Sequence, residues 1–335
     1  MQAIGYTTGN LYQFECDTPV PEARDILVEV SAIAVNPVDT KIRSRVTPPE
    51  GQPKVLGWDA VGTVKAVGSE VSLFNVGDRV WYAGDVSRSG CNAQFQCVDE
   101  RICAKAPDTL NNAEAAAMPL TTITAWEMLF DRLQVPFGDE ASDRRVLVLG
   151  AGGGVGSMLV QLLRQLTSAT IVATASREES RQWVKSLGAH HVLDHREPLA
   201  PQLEALDGID NVTDVASANR TGEHYENLIQ MLKPQGRLVL IDDPSEPLDI
   251  KLMKQKCLSL HWEFMFTRAM FKTDDMQKQH ELLSKVAELV DAGKLRSTLG
   301  EHYGAITADN LERAHTAMKT EHTRGKVVLE GFEGI

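Results

Sequence analysis

Basic residues are in short supply: 34 lysines and arginines stand against 46 acidic residues, a net charge of -12. A surface this acidic repels phosphate backbones and anionic bilayers, which argues against nucleic acid and membrane as partners. An anionic ligand would have to be held by backbone amides and a few local cations. Cysteine is scarce too. Cys16, Cys91, Cys97, Cys103 and Cys257 are odd in number in a chain of 335 residues, the usage of reduced thiols rather than of a disulfide scaffold. The opening MQAIGYTTGN has neither a basic start nor an apolar run of signal-peptide length, so a cytoplasmic protein is expected. One uncharged stretch, Val146 to Leu163, is long enough to raise a membrane span, but its five glycines and charged flanks read as a buried strand, turn and helix.

The length exceeds one typical domain, and the texture changes along it. The first hundred or so residues read as short strands broken by turns: ILVEVSAIAV, AVGTVKAVG, the turn NVGDRV, then NAQFQCVDE. From about Leu120, helical stretches alternate with apolar runs at RVLVLG, ATIVATA, NVTDVA and RLVLID, the pattern of βαβ crossovers and a parallel sheet. MQKQHELLSKVAELVDAGKL carries apolar residues at helical spacing and ends near Gly293. The final GKVVLEGF is strand-like again, which brings the C-terminus back to complete the first domain.

The strand RVLVL runs directly into Gly150, Ala151, Gly152, Gly153, Gly154, Val155 and Gly156, and SMLVQLLRQL follows as a helix. Glycine permits the tight turn, lets amides approach a pyrophosphate and lets helix pack on strand, while the helix start adds positive partial charge. Strand, turn and helix together predict a nicotinamide dinucleotide site. An acid at the end of the next strand would hold a ribose 2′-hydroxyl. Here Ala175, Ser176, Arg177 and Arg181 stand there instead, and a hydroxyl with guanidinium groups suits a 2′-phosphate, so NADPH is expected. A solvated arginine at a loop tip is the alternative for Arg177.

With this turn, the segments AVNPVDTKIR, KVLGWDAVGTVKAVGSEV, NVGDRVWYAG, NAQFQCVDE, EAAAMPLTTITAWEML and RGKVVLEGF make the chain resemble the medium-chain dehydrogenase/reductase superfamily over nearly its whole length. It is most similar to the quinone oxidoreductase branch, and in particular to bacterial proteins labelled zinc-type alcohol dehydrogenase-like. The resemblance implies an α/β fold: a GroES-like catalytic β-domain from residues 1–120 and 268–335, a doubly wound Rossmann NADPH-binding domain from 121–267, and an active site in the cleft.

The departures from that family shape the chemistry. Where zinc alcohol dehydrogenases carry a cysteine, a Gly-His-Glu histidine and a later cysteine or acid, this chain has Asn36, Trp58 within Gly57-Trp58-Asp59, and about Leu120. Tetrahedral zinc needs thiolate, imidazole or carboxylate, and an indole nitrogen cannot ligate. The lobe of four closely spaced cysteines is also missing; Cys91, Cys97 and Cys103 are too widely spaced for a zinc knuckle. No metal is expected. Without a Lewis acid, oxidation of an unactivated alcohol is hard, whereas a quinone or an α,β-unsaturated carbonyl spreads the charge left by hydride addition.

The resemblance places Asn36, Asp39 and Lys41 beside the nicotinamide. Lys41, where many relatives carry tyrosine, is either a hydrogen-bond donor to a forming enolate or a surface cation. Asn36 would orient substrate or ribose, and Asp39 either joins it or caps a helix at TKIR. Thr124 resembles the residue bordering the nicotinamide ring. His195 takes the place of a tyrosine near the adenosine ribose, or is a surface histidine. Lys326 matches a family lysine near the cofactor, with Arg324 assisting. Trp58, Tyr82, Trp262 and Phe264 either wall an apolar pocket or pack in the core. The expected protein is an NADPH-dependent, zinc-independent reductase of quinones or enones, a homodimer paired through an edge strand near PLDIKLMKQKCLSLHW. An alcohol dehydrogenase with a rearranged metal site and a non-catalytic NADPH-binding protein are the competing readings.

Overall fold

A computed structural model of the chain describes residues 1–138, 143–319 and 324–333. It divides into two compact units, Met1–Ile123 with Met265–Ile335, and Thr124–Phe264. The junctions fall after Ile123 and Phe264, where the sequence placed them after residues 120 and 267. Among the described residues no helix is long and apolar enough to cross a membrane.

The first unit is organised by the strand Asp25–Val35, buried at all but two of its positions. Its run of β-branched and small apolar residues suits a strand covered on both faces. Antiparallel partners lie along it: Ala60–Val67, Phe95–Asp99 and the returning C-terminal strand Lys326–Glu330. Arg79–Tyr82 and Cys103–Lys105 extend the sheet on one side, and Leu299–His302 on the other. A smaller sheet of Tyr12–Glu15, Gln2–Tyr6 and Lys54–Val55, unanticipated from the sequence, completes the unit.

Register here decides chemistry. Val327 pairs with Val35, so Lys326 lands beside Asn36 just beyond the strand end. Ala60 pairs with Ile33, and the Ala34 amide donates to the Asp59 carbonyl at 2.9 Å, which brings Asp59 to the same end. The amphipathic helix Lys278–Asp291, ending just before Gly293, turns Leu282, Leu283, Val286 and Val290 inward as its periodicity predicts.

The second unit is a parallel sheet with spatial order His191–Leu193, Thr170–Thr174, Arg145–Leu149, Val212–Ser217, Leu232–Leu240, Ser259–Trp262. Counted along the chain, that order is 3-2-1-4-5-6, the doubly wound arrangement. Helices Gly154–Leu166, Glu178–Ser186 and Thr221–Met231 connect the strands. Its core gathers Leu147, Leu149, Val172, Val215, Leu228 and Leu238, all almost fully buried. The unit opens in the helix Pro119–Trp126, which continues as a π-helical turn, Glu127–Arg132. That turn is tied to the residue following the sheet's strand Ser259–Trp262: Arg132 Nε donates to the buried Glu263 carboxylate at 2.8 Å.

Candidate active site

The glycine turn follows the first strand of the parallel sheet at the point where strand order reverses, the place at which such sheets bind ligands. Its glycines have different reasons to be glycine. Gly150 has φ +79°, and a Cβ on it would stand 2.3 Å from Asn219 Oδ1 in the loop after Val212–Ser217. On Gly156 a Cβ would meet the Gly150 carbonyl at 2.3 Å, so helix Gly154–Leu166 can approach its strand only with glycine there. Gly152 and Gly153 are under no such pressure: a Cβ would find its nearest atoms at 3.5 and 3.6 Å, ordinary contact. The space above their backbone is left open, and Gly153 is the N-cap of the helix with no side-chain cap. Gly154 and Val155 open the helix, so their amides lack intrahelical partners. Bare amides, a helix N-terminus and an unfilled backbone face fit a pyrophosphate. Thr174 Oγ1 accepts the Gly150 N–H at 3.0 Å and fixes the turn to the neighbouring strand, a contact that exists only because the two strands pair side by side.

At the end of that neighbouring strand Ser176 is partly exposed and Arg177 exposed, the latter as N-cap of Glu178–Ser186. Arg181 turns inward: its guanidinium donates to the carbonyls of Ala175 and Val192 at 3.3 and 3.4 Å, tying two strand ends together. His195 is half-buried, its ring edge-on to His224 with centroids 6.5 Å apart. Burial lowers its pKa, against the pull of Asp194, and His224, Arg220 and Arg196 add to the lowering. The ring is therefore neutral at pH 7.

In the first unit Asn36, Asp39, Asp59 and Lys326 form a buried polar centre, each at most 4% exposed. Lys326 Nζ donates to the Val35 carbonyl at 3.0 Å, to Asn36 Oδ1 and to Asp59 Oδ2 at 3.1 Å, which accounts for all three of its protons. Asn36 Nδ2 donates to Asp59 Oδ2 and to the Ala34 carbonyl, both at 3.2 Å. Both ends of the Asn36 amide are thus engaged within the unit, which makes Asn36 a brace rather than a free substrate ligand. Asp59 Oδ1 accepts the Leu120 N–H at 3.1 Å. Asp59 lies in the Gly57-Trp58-Asp59 segment but was given no role from sequence, because its partners come from residues 36, 120 and 326.

Asp39 sits inside the helix Pro37–Arg45 rather than ahead of it, and its Oδ2 accepts the Asn36 N–H at 2.8 Å. Its Oδ1 is buried without a partner. Burial pushes Asp39 up to about 7, against the Asn36 N–H and Lys326, while Asp59 pushes it further up. Burial raises Asp59 as well, but an ammonium and two N–H donors face that carboxylate. Asp39 is therefore the carboxyl that keeps the proton. Lys41, two positions on and so on another face of the helix, is only partly buried. Thr124 is 5% exposed in Pro119–Trp126. Arg324 is exposed where the chain enters the last strand.

Zinc does not fit the residues present. Trp58 Nε1 donates to the Asp85 carbonyl at 2.9 Å, Leu120 contributes an apolar side chain, and Asn36 is braced by an ammonium that would repel a dication. Among the described residues no cluster of histidine, cysteine and acids could hold a metal ion. Cys91 and Cys103 are buried, and burial pushes the Cys97 thiol up to about 11, so these thiols hold their protons. Trp58 and Tyr82 are fully buried in the core, while Trp262 and Phe264 are 53% and 48% exposed.

A doubly wound sheet whose glycine turn lies at the switch point, in one chain with a GroES-like β-unit, defines a dehydrogenase fold that binds a nicotinamide dinucleotide. Comparison with known proteins agrees. Residues 22–108 match the alcohol dehydrogenase GroES-like domain and residues 187–329 the zinc-binding dehydrogenase family. The chain is 38% identical over 324 residues, 96% of its length and 95% of the relative's, to a zinc-type alcohol dehydrogenase-like protein of Staphylococcus aureus (strain COL). It is 27% identical over 344 residues to the 2-methylene-furan-3-one reductase of Solanum lycopersicum, covering 98% of this chain and 79% of that one. Its fold matches a candidate zinc-dependent alcohol dehydrogenase from Rhizobium etli CFN 42 with TM-score 0.94 and 50% identity, covering 99% and 98% of the two chains. It also matches the Escherichia coli quinone oxidoreductase complexed with NADPH, with TM-score 0.83 and 25% identity over 98% and 100%. The chain belongs to the zinc-binding alcohol dehydrogenase family of the medium-chain dehydrogenase/reductase superfamily, a family of oxidoreductases.

Proposed function

We propose that this chain is an NADPH-dependent, zinc-independent reductase that passes hydride to a quinone or an α,β-unsaturated carbonyl. One observation carries the reading: the buried polar centre that resembles the family's metal position is built around the Lys326 ammonium, with oxygen acceptors on every side and neither thiolate nor imidazole. The chemistry assigned to such a centre is one that needs no Lewis acid, and conjugated acceptors meet that condition. When bound, the dinucleotide supplies the hydride.

The roles assigned to the chain's own residues follow from their settings. The amides of Gly152, Gly153, Gly154 and Val155 bind the pyrophosphate, and Gly150 and Gly156 shape the turn that presents them. Ser176 and Arg177 meet the adenosine ribose and its 2′-phosphate, Arg181 braces that edge, and His195 lies against the ribose as a neutral ring. Thr124 borders the nicotinamide, and Arg324 supplies a further cation. Lys41 donates a hydrogen bond to the substrate oxygen that gains negative charge. Asn36, Asp39 and Lys326 act one step back, holding the first turn of the helix that carries Lys41.

Two relatives support the substrate class. The tomato enzyme is named for a substrate with a C=C bond conjugated to a ketone, and the Escherichia coli enzyme for quinones. A cytoplasmic homodimer is part of the same reading, paired through the edge strand Ser259–Trp262, beside which Trp262 and Phe264 expose aromatic surface. NADPH and NADH consumption over quinone, enone, aldehyde and alcohol panels, with and without chelator, tests the function. Chelator-insensitive turnover of quinones or enones is expected; zinc-restored alcohol oxidation, or tight NADPH binding without turnover on any acceptor, would overturn it. Light scattering checks the dimer.

A further inference from the structure

The ribose end of the dinucleotide site contains a cation that the strand-end pattern alone does not reveal. The strands Thr170–Thr174 and His191–Leu193 run parallel, and the Ala175 N–H donates to the Leu193 carbonyl at 2.9 Å. Their ends therefore emerge side by side, Ser176 next to the turn Asp194-His195-Arg196. Arg196 reaches across this gap. Its Nη2 donates to the Ser176 carbonyl at 3.1 Å and to Asp194 Oδ2 at 2.6 Å, and its Nε donates to Asp194 Oδ1 at 3.1 Å. The bidentate clamp on Asp194 fixes the guanidinium plane while the side chain as a whole stays 66% exposed.

We infer that Arg196 determines cofactor choice: clamped between Asp194 and the Ser176 carbonyl, it receives the 2′-phosphate of the adenosine ribose and masks Asp194, the carboxylate that would otherwise accept an unphosphorylated ribose. The inference rests on the dinucleotide reading above and deepens it. Two arginines then flank Ser176 from different elements, Arg177 from the following helix and Arg196 from the next strand's turn. Planar guanidinium groups approaching from two sides match a tetrahedral phosphate in a way that lysines on one loop do not. The acidic balance of the chain gives the arrangement its value, since the attraction for the extra phosphate has to be local. Asp194 itself is held down to about 2, by its hydrogen bonds to Arg196 before any other cause, so it stays ionised across the working range.

The test uses the intact protein and two cofactor fragments, adenosine 2′,5′-bisphosphate and 5′-AMP, with affinities measured by titration calorimetry. Wild type is expected to hold the bisphosphate more tightly. R196A should weaken the bisphosphate by roughly 10- to 100-fold, the effect of losing charge-assisted hydrogen bonds, and leave 5′-AMP unchanged or tighter. The double variant R196A/D194N should recover only part of the loss. If wild type binds the two fragments equally, the NADPH reading falls and this inference with it. If wild type prefers the bisphosphate and R196A keeps that preference, this inference alone falls. Full recovery in R196A/D194N would also overturn it, because Arg196 would then only screen Asp194 and never touch the phosphate. An unchanged melting temperature in R196A identifies any loss as one of binding.

Discussion

Asp39 holds its proton up to near neutral pH, well past the point at which its unfolded counterpart has lost it, and this makes the stability of the first unit pH-dependent in a calculable way. Burial lifts its carboxyl from 3.8 to about 7, and an oxygen without a partner leaves the charged form poorly solvated. A group whose folded pKa is raised contributes stability that is fully present below its unfolded pKa and is lost as pH climbs through the folded one. The window is therefore pH 4 to 7. Between 3.8 and about 7, at about 1.4 kcal/mol per pH unit, the loss amounts to about 4 kcal/mol. Asp39→Asn keeps an oxygen for the Asn36 N–H and removes the titration. Denaturant unfolding of wild type and D39N from pH 4.5 to 8 should give a stability difference that moves against wild type by about 1.4 kcal/mol per pH unit and levels off above pH 7. A difference independent of pH would refute the reasoning: it would mean that Asp39 is ionised throughout and that Lys326 neutralises it along with Asp59.

Lys326→Met should cost about 3–5 kcal/mol in denaturant unfolding, because it strands the buried Asp59 carboxylate and Asn36 Oδ1 together; a loss below about 1 kcal/mol would show that the ion pair is not what holds the centre. Gly152→Ala should fold with stability within about 0.5 kcal/mol of wild type yet bind NADPH at least tenfold more weakly, since the new methyl enters the open face; Gly156→Ala should lose stability as well, having backbone in its path. Equal stability losses in the two variants, read by thermal melts beside NADPH titration, would contradict this division. Lys41→Met should lower kcat by roughly tenfold or more while NADPH affinity stays within about twofold, and steady-state kinetics beside direct cofactor titration separates that outcome from general damage.

What the sequence determined alone lies within single elements. RVLVL followed by five glycines and a helix predicts the strand, turn and helix over residues 145–166, because φ freedom, β-branching and helical periodicity act over a few residues. The alternation of strands and helices predicts a parallel sheet, and the strand-like RGKVVLEGF predicts the return of the C-terminus. The three-stranded sheet at the N-terminus, the π-helical turn at Glu127–Arg132 and the inward turn of Arg181 were not legible, since each depends on what packs against it. The polar centre was decided by tertiary structure. The sequence offers Asn36 as a residue that orients substrate or ribose, and only the register of Val327 on Val35 shows that the Lys326 ammonium, 290 residues away, meets its carbonyl oxygen, with Asp59 completing the cluster from just ahead of a third strand. Arg196 meets Ser176 for the same reason, across a parallel pairing whose partners are separated by a whole helix. Local pattern fixes which residues form an element, whereas register and burial fix which charges meet and which carboxyl keeps its proton, and those are properties of distant segments brought together.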